Sequence, residues 1–154
     1  MKILITGGSG FIGSRLVADL MALDHEIVIF DKMSSEQYPN MVVPGDVRDR
    51  NDLTHALTNV DLIYHLAAEH HDKVRPISLY QEVNVEGTAN LITAAEKNGV
   101  EKIVFTSTIA IYGLRLNGQD ESSTPAPFNE WRLLEKIFPP ACLKDQMCTP
   151  RVTR

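Results

Sequence analysis

Three glycines at equal spacing and one acid carry the chemistry most readily read from this chain. Gly7, Gly10 and Gly13 fall within Thr6-Gly7-Gly8-Ser9-Gly10-Phe11-Ile12-Gly13-Ser14, and Asp31 follows about twenty residues on. Glycines so spaced let the backbone turn tightly, let a pyrophosphate approach the main chain, and let a helix pack closely on the strand before it. The N–H groups at the start of that helix are donors for phosphate oxygens, and an acid closing the next strand can hold a ribose diol. The pattern is that of a dinucleotide site, provided that a strand leads in and a helix leads out.

The flanking residues meet that condition. Ile3-Leu4-Ile5 is an apolar run that suits a buried strand, and Arg15 to Met21 continues as a helix. Glu26 to Phe30 is a second strand, closed by Asp31. Met41 to Pro44 is a third, and Asp52 to Leu57 reads as a helix with Asp49 or Asn51 available as its cap. Val60 to Ala68 is the fourth strand, whose small terminal Ala67 and Ala68 leave room for a ligand at the carboxyl edge of the sheet. The spacing of Val83, Leu91, Ile92 and Ala95 predicts a helix from about Ile77 to Asn98, stopped by Asn98-Gly99. Glu101 to Thr106 is the fifth strand. Strands alternating with helices in this way predict an α/β fold with a doubly wound, Rossmann-type parallel sheet of about five strands. That domain is assigned to residues 1–138, with one more helix over Asn129–Phe138 and an irregular tail over 139–154.

Composition narrows the partners. The 154 residues are 44% apolar and 23% charged, enough for one domain with a core. A net charge of −5 with scattered basic residues gives no footprint for nucleic acid or an anionic membrane. No apolar run approaches the roughly eighteen residues of a membrane span, and the N-terminus lacks a signal-peptide pattern, so a cytoplasmic location is expected. Cys142 and Cys148 stand without a nearby histidine and read as free thiols.

Five motifs in order, Thr-Gly-Gly-Ser-Gly-Phe-Ile-Gly (6–13), Gly-Asp-Val-Arg-Asp (45–49), His-Leu-Ala-Ala (65–68), Asn-Val-Glu-Gly-Thr (84–88) and Phe-Thr-Ser-Thr-Ile-Ala-Ile-Tyr-Gly (105–113), resemble the NAD-dependent epimerase/dehydratase family of extended short-chain dehydrogenases. The likeness covers about residues 1–113. It implies Gly7, Gly10 and Gly13 on the pyrophosphate with Phe11 and Ile12 beside it, Asp31 on the adenosine ribose, and Asp46 and Val47 flanking the adenine. It further implies Leu66, Ala67 and Ala68 along the path to the nicotinamide ribose, Asn84 tying the long helix to the floor of the site, and Thr108 in the place of the catalytic serine or threonine. The carboxylate of Asp31 repels a 2′-phosphate, which favours NAD over NADP, although adjacent Lys32 softens that preference. Nucleotide-sugar substrates and a homodimer formed through a helix bundle are implied by the same resemblance.

One departure cuts across it. Such enzymes use a Tyr-x-x-x-Lys pair, in which the lysine lowers the tyrosine's pKa so that it can act as a base. The residues four places after Tyr38, Tyr64, Tyr80 and Tyr112 are Val42, Ala68, Asn84 and Leu116, so the pair is absent from this sequence. Where it is expected, after Pro127-Phe128-Asn129-Glu130, the chain continues Trp131-Arg132-Leu133-Leu134-Glu135-Lys136, a continuation read as truncated or frame-shifted. Glu69-His70-His71-Asp72 reads as a polar loop over the cofactor in preference to a metal site, His65 as a satisfied core histidine, and His25 and His55 as surface residues. Three functions stay open: an active nucleotide-sugar epimerase, dehydratase or reductase with a substitute for the missing base; a non-catalytic dinucleotide-binding module; and an inactive remnant.

Overall fold

A computed structural model describes residues 1–71 and 74–108, together with 112, 113, 120, 122–124 and 126. The helix read over Asn129–Phe138, the boundary at residue 138 and both cysteines lie outside the described residues.

Five parallel strands, β1 (Lys2–Thr6), β2 (Glu26–Asp31), β3 (Val42–Pro44), β4 (Leu62–His65) and β5 (Ile103–Phe105), form one sheet in the order β3-β2-β1-β4-β5. This is the doubly wound arrangement expected from the alternation of elements, with its switch point between β1 and β4. Successive side chains of a strand point to opposite faces. Thus Leu4 enters one core with Phe30, Leu53, Ile63, Leu91 and Ile92, while Ile3 and Ile5 enter the other with Val17, Leu20, Ile27 and Ile29. Helix α1 (Phe11–Met21) covers the second face; α2 (Arg50–Ala56) and α4 (Thr88–Lys97) cover the first.

The helix ends follow from their residues. Gly10, extended at φ −77° and ψ −179°, starts α1 with no side-chain cap. Of the two candidate caps for α2, Asp49 serves: its Oδ1 accepts from Asn51 N–H at 2.7 Å and Asp52 N–H at 3.2 Å. After Asn98, Gly99 takes φ +71°, its N–H donates to the Glu96 carbonyl (3.2 Å), and Val100 N–H donates to that of Ala95 (2.9 Å). That pair of bonds is the Schellman closure foreseen from Asn98-Gly99.

Several boundaries differ from the sequence reading. The fourth strand ends at His65 instead of Ala68, because the chain then leaves the ladder to pass over the glycine turn. Met41 belongs to a 3₁₀ turn (Pro39–Met41), so the third strand begins at Val42. The fifth spans only Ile103–Phe105, and α2 starts at Arg50 instead of Asp52. The long helix is α3 (Ser78–Tyr80) continued by a π-helical segment, Gln81–Gly87, into α4. Gly87 lies against Val47: a Cβ there would stand 2.6 Å from Val47 Cγ2. His55 is exposed as expected, whereas His25 is half-buried. Among the described residues no helix is long and apolar enough to cross a membrane.

Candidate functional site

The carboxyl ends of β1, β2 and β4 open onto a cleft of about 730 Å³. Gly7, Gly10, Phe11, Ile12 and Gly13 line it from the turn between β1 and α1, Asp31 from the end of β2, and Asp46 and Val47 from the loop after β3. Leu66, Ala67 and Ala68 line it beyond β4, and Thr108 beyond β5. Asn84 stands apart, against a neighbouring cavity of about 20 Å³ shared with His65 and Thr88.

The glycine turn is built for close approach. Gly7 has φ +70°, and a Cβ on it would meet Ala67 N at 2.8 Å. A Cβ on Gly13 would meet Gly8 Cα at 2.5 Å, so α1 sits as near the turn as a glycine permits. Gly10 differs: only the Gly7 carbonyl, at 3.3 Å, lies near its missing Cβ, which leaves that side of the turn open. The first N–H groups of a helix have no partner within it, and no side chain caps α1. Phe11 and Ile12, 76% and 59% exposed, project beside these donors, with the Arg15 guanidinium 3.8 Å above the Phe11 ring.

Asp31 is fixed from both sides. Its Oδ2 accepts from Ser9 N–H at 3.0 Å and its Oδ1 from Met33 N–H at 2.9 Å. Opposite, the Arg48 guanidinium grips Asp46 through Nη2 (2.7 Å) and Nε (3.1 Å) and holds its carboxyl below the usual carboxylate range. Buried Asn90 steadies this loop, donating to the Arg48 carbonyl at 3.1 Å and accepting from Arg50 Nε at 2.6 Å.

A chain of hydrogen bonds ties the turn to the long helix through His65. Thr88 Oγ1 donates to the Asn84 carbonyl (2.7 Å), so it accepts from His65 Nε2–H (2.9 Å). His65 Nδ1 then accepts from Thr6 Oγ1 (2.6 Å), which in turn accepts from Ala67 N–H (3.2 Å). The imidazole is a satisfied core group, as its place in the strand suggested, and burial pushes its pKa down to about 4. Asn84 continues the chain: Glu69 N–H donates to its Oδ1 (2.8 Å), and its Nδ2 donates to the Glu69 carbonyl (2.9 Å).

Sequence reasoning missed Ser9 and Met33, whose main-chain N–H groups orient Asp31, and the ion pair between Lys32 Nζ and Glu69 Oε1 at 2.8 Å. Met33 N–H closes an Asx turn on Asp31, a local pattern the sequence could have offered. Ser9 and Asp31 lie 22 residues apart and Lys32 and Glu69 37, separations that no spacing rule links. His70 and His71 also line the cleft, their rings 4.4 Å apart, and Tyr80 Oη donates to the His71 carbonyl. Asp72 lies outside the described residues, among which no group of three His, Cys, Asp or Glu could hold a metal.

Comparison with known proteins places this geometry. The family described as NAD dependent epimerase/dehydratase matches residues 3–132. The chain is 47% identical over 130 residues to the N-acetyl-alpha-D-glucosaminyl-diphospho-ditrans,octacis-undecaprenol 4-epimerase of Escherichia coli O157:H7, covering 84% of this chain and 39% of that protein. It is 36% identical over 139 residues to the UDP-glucose 4-epimerase of Rhizobium meliloti (strain 1021), covering 84% and 42%. Among solved structures, the Thermus thermophilus UDP-glucose 4-epimerase in complex with NAD superposes with a TM-score of 0.72 at 36% identity, covering 82% of this chain and 45% of that one. The dTDP-glucose 4,6-dehydratase DesIV of Streptomyces venezuelae, crystallised with NAD, gives 0.73 at 34%, covering 82% and 46%. The chain therefore spans about two fifths of the length of these curated relatives.

Proposed function

Because the chain belongs to the NAD dependent epimerase/dehydratase family, we propose that it is the NAD-holding part of a cytoplasmic nucleotide-sugar oxidoreductase, catalytically impaired by the lack of a Tyr-x-x-x-Lys pair. The observation that carries the cofactor assignment is the meeting, in one cleft, of the glycine turn, the uncapped start of α1 and the fixed carboxylate of Asp31. The open side of Gly10 fits a pyrophosphate, since it is the one place on the turn where a ligand atom can stand in for a side chain. Bound NAD supplies a hydride acceptor and donor, chemistry that belongs to the cofactor.

The chain's own residues bind and orient. The N–H groups at the start of α1 take phosphate oxygens. Asp31 accepts from a ribose hydroxyl and sets negative charge where a 2′-phosphate would stand. Asp46 and Val47 flank the adenine, and Leu66, Ala67 and Ala68 lead toward the nicotinamide end. Asn84 acts one step back, by holding the Glu69 backbone. Thr108, beyond β5, offers a hydroxyl to a substrate oxygen. No lysine stands four residues after Tyr112 to turn its phenol into a base. The UDP-sugar and dTDP-sugar names of the relatives support a nucleotide-sugar substrate.

The test is calorimetric titration of the chain with NAD, followed by incubation with UDP- and dTDP-hexoses while the sugar products are resolved by chromatography and NADH absorbance is watched. Binding of NAD with no detectable turnover is expected. No binding would overturn the cofactor assignment, and sustained turnover would overturn the impairment. The missing pair also favours a second reading, a dinucleotide-binding module that never catalysed a reaction in this form; chemical supply of a base that restores turnover would exclude it.

A further inference from the structure

We infer that Glu69 sets the choice between NAD and NADP by drawing Lys32 away from the adenosine-ribose corner of the cleft, an inference that rests on the dinucleotide site proposed above. Asp31 and Lys32 are adjacent and both line the cleft, and they make opposite demands on a cofactor. The carboxylate repels a 2′-phosphate, whereas an ammonium in its place would attract one. Sequence alone leaves that conflict standing.

The structure resolves it through a third residue. Lys32 follows β2 and Glu69 follows β4, with β1 between the two strands, and Lys32 Nζ reaches Glu69 Oε1 at 2.8 Å. The acid is the fixed member of the pair: its side chain is 16% exposed against 60% for that of Lys32. Its main chain is clamped at both N–H and C=O by Asn84, itself 7% exposed. Lys32 is therefore the flexible arm and Glu69 the anchor. The anchor acts by taking the ammonium away from the place where a 2′-phosphate would stand.

The test is titration of the full chain with NAD and with NADP, in the wild type, Glu69→Gln, Lys32→Ala and the double variant. In Glu69→Gln the affinity for NADP relative to NAD should rise about threefold or more, the scale of one partly exposed ion pair. The double variant should lose that gain, because the freed Lys32 is its source. Lys32→Ala alone should leave the ratio unchanged, since its ammonium is already engaged, and this variant does not depend on how well Glu69→Gln folds. An unmoved ratio in folded Glu69→Gln that still binds NAD, a gain that survives without Lys32, or a selective loss of NADP binding in Lys32→Ala would each overturn the inference while leaving the site intact. If the wild type binds neither cofactor, the site assignment itself falls and this inference with it.

Discussion

His65 Nδ1 lies 2.6 Å from Thr6 Oγ1 across the β1–β4 ladder, and the threonine belongs to the strand that delivers the glycine turn. With Thr88 on its other nitrogen, the ring satisfies both polar atoms while 1% exposed, but only in the neutral form protonated at Nε2. A second ring proton would point at a hydroxyl that is already donating. Burial depresses the folded pKa to about 4 from 6.5, so between these values the unfolded chain binds a proton that the folded chain does not. Stability should therefore fall as pH drops below about 6.5, and this loss should level off near pH 4, amounting to ~3 kcal/mol at its limit. Urea unfolding at a series of pH values measures it. His65→Gln should be less stable at neutral pH yet show a flatter profile over that window; an unchanged slope would contradict the assignment.

Gly10 and Gly13 should separate stability from binding. Alanine at 13 forces a Cβ to within 2.5 Å of Gly8 Cα and 2.6 Å of the Gly7 carbonyl, against backbone that cannot rotate away. A cost of about 1–3 kcal/mol is expected by overpacking, seen as a lowered urea midpoint. Alanine at 10 meets only one atom, at 3.3 Å, and should cost less than about 1 kcal/mol. Its methyl nevertheless occupies the open side of the turn, so NAD affinity should fall about tenfold or more, which titration would read.

The sheet and the glycine turn were legible because they rest on local signals. Buried parallel strands are apolar runs, Asp49 is a good cap wherever it stands, and Asn98-Gly99 can close a helix from sequence alone. The end of β4 was not: Leu66, Ala67 and Ala68 carry the same apolar signature as the strand, and only the path over the turn at Gly7 separates them. The π-helical segment Gln81–Gly87 was illegible for a related reason, since its apolar spacing also suits an ordinary helix and its setting against Val47 is tertiary. Of the cleft, Asp31 could be found by its spacing from the glycines. The Met33 donor is a local Asx turn, but the Ser9 donor depends on β1 pairing with β2 and the Lys32–Glu69 pair on a loop returning across β1, contacts that no periodicity encodes.

Asp49 offers a control away from the cleft. Its carboxylate holds two N–H groups at the start of α2, and Asp49→Ala should cost about 1 kcal/mol. NAD affinity should not change. Parallel unfolding and titration experiments check both halves, and a concurrent loss of affinity would mean that the cap supports the cleft through the loop holding Asp46 and Val47.

Thermal unfolding of the intact chain with and without NAD tests the central claim most directly, because a ligand that binds only the folded state stabilises it in proportion to the logarithm of its excess over the dissociation constant. At a hundredfold excess the gain is about 2.7 kcal/mol, or roughly 5–10 °C in the midpoint for a domain of this size. A single cooperative transition raised by that amount, and raised less in Gly10→Ala, is the result expected of a cleft that holds NAD at the glycine turn. A transition that does not respond to NAD at any attainable concentration would contradict it.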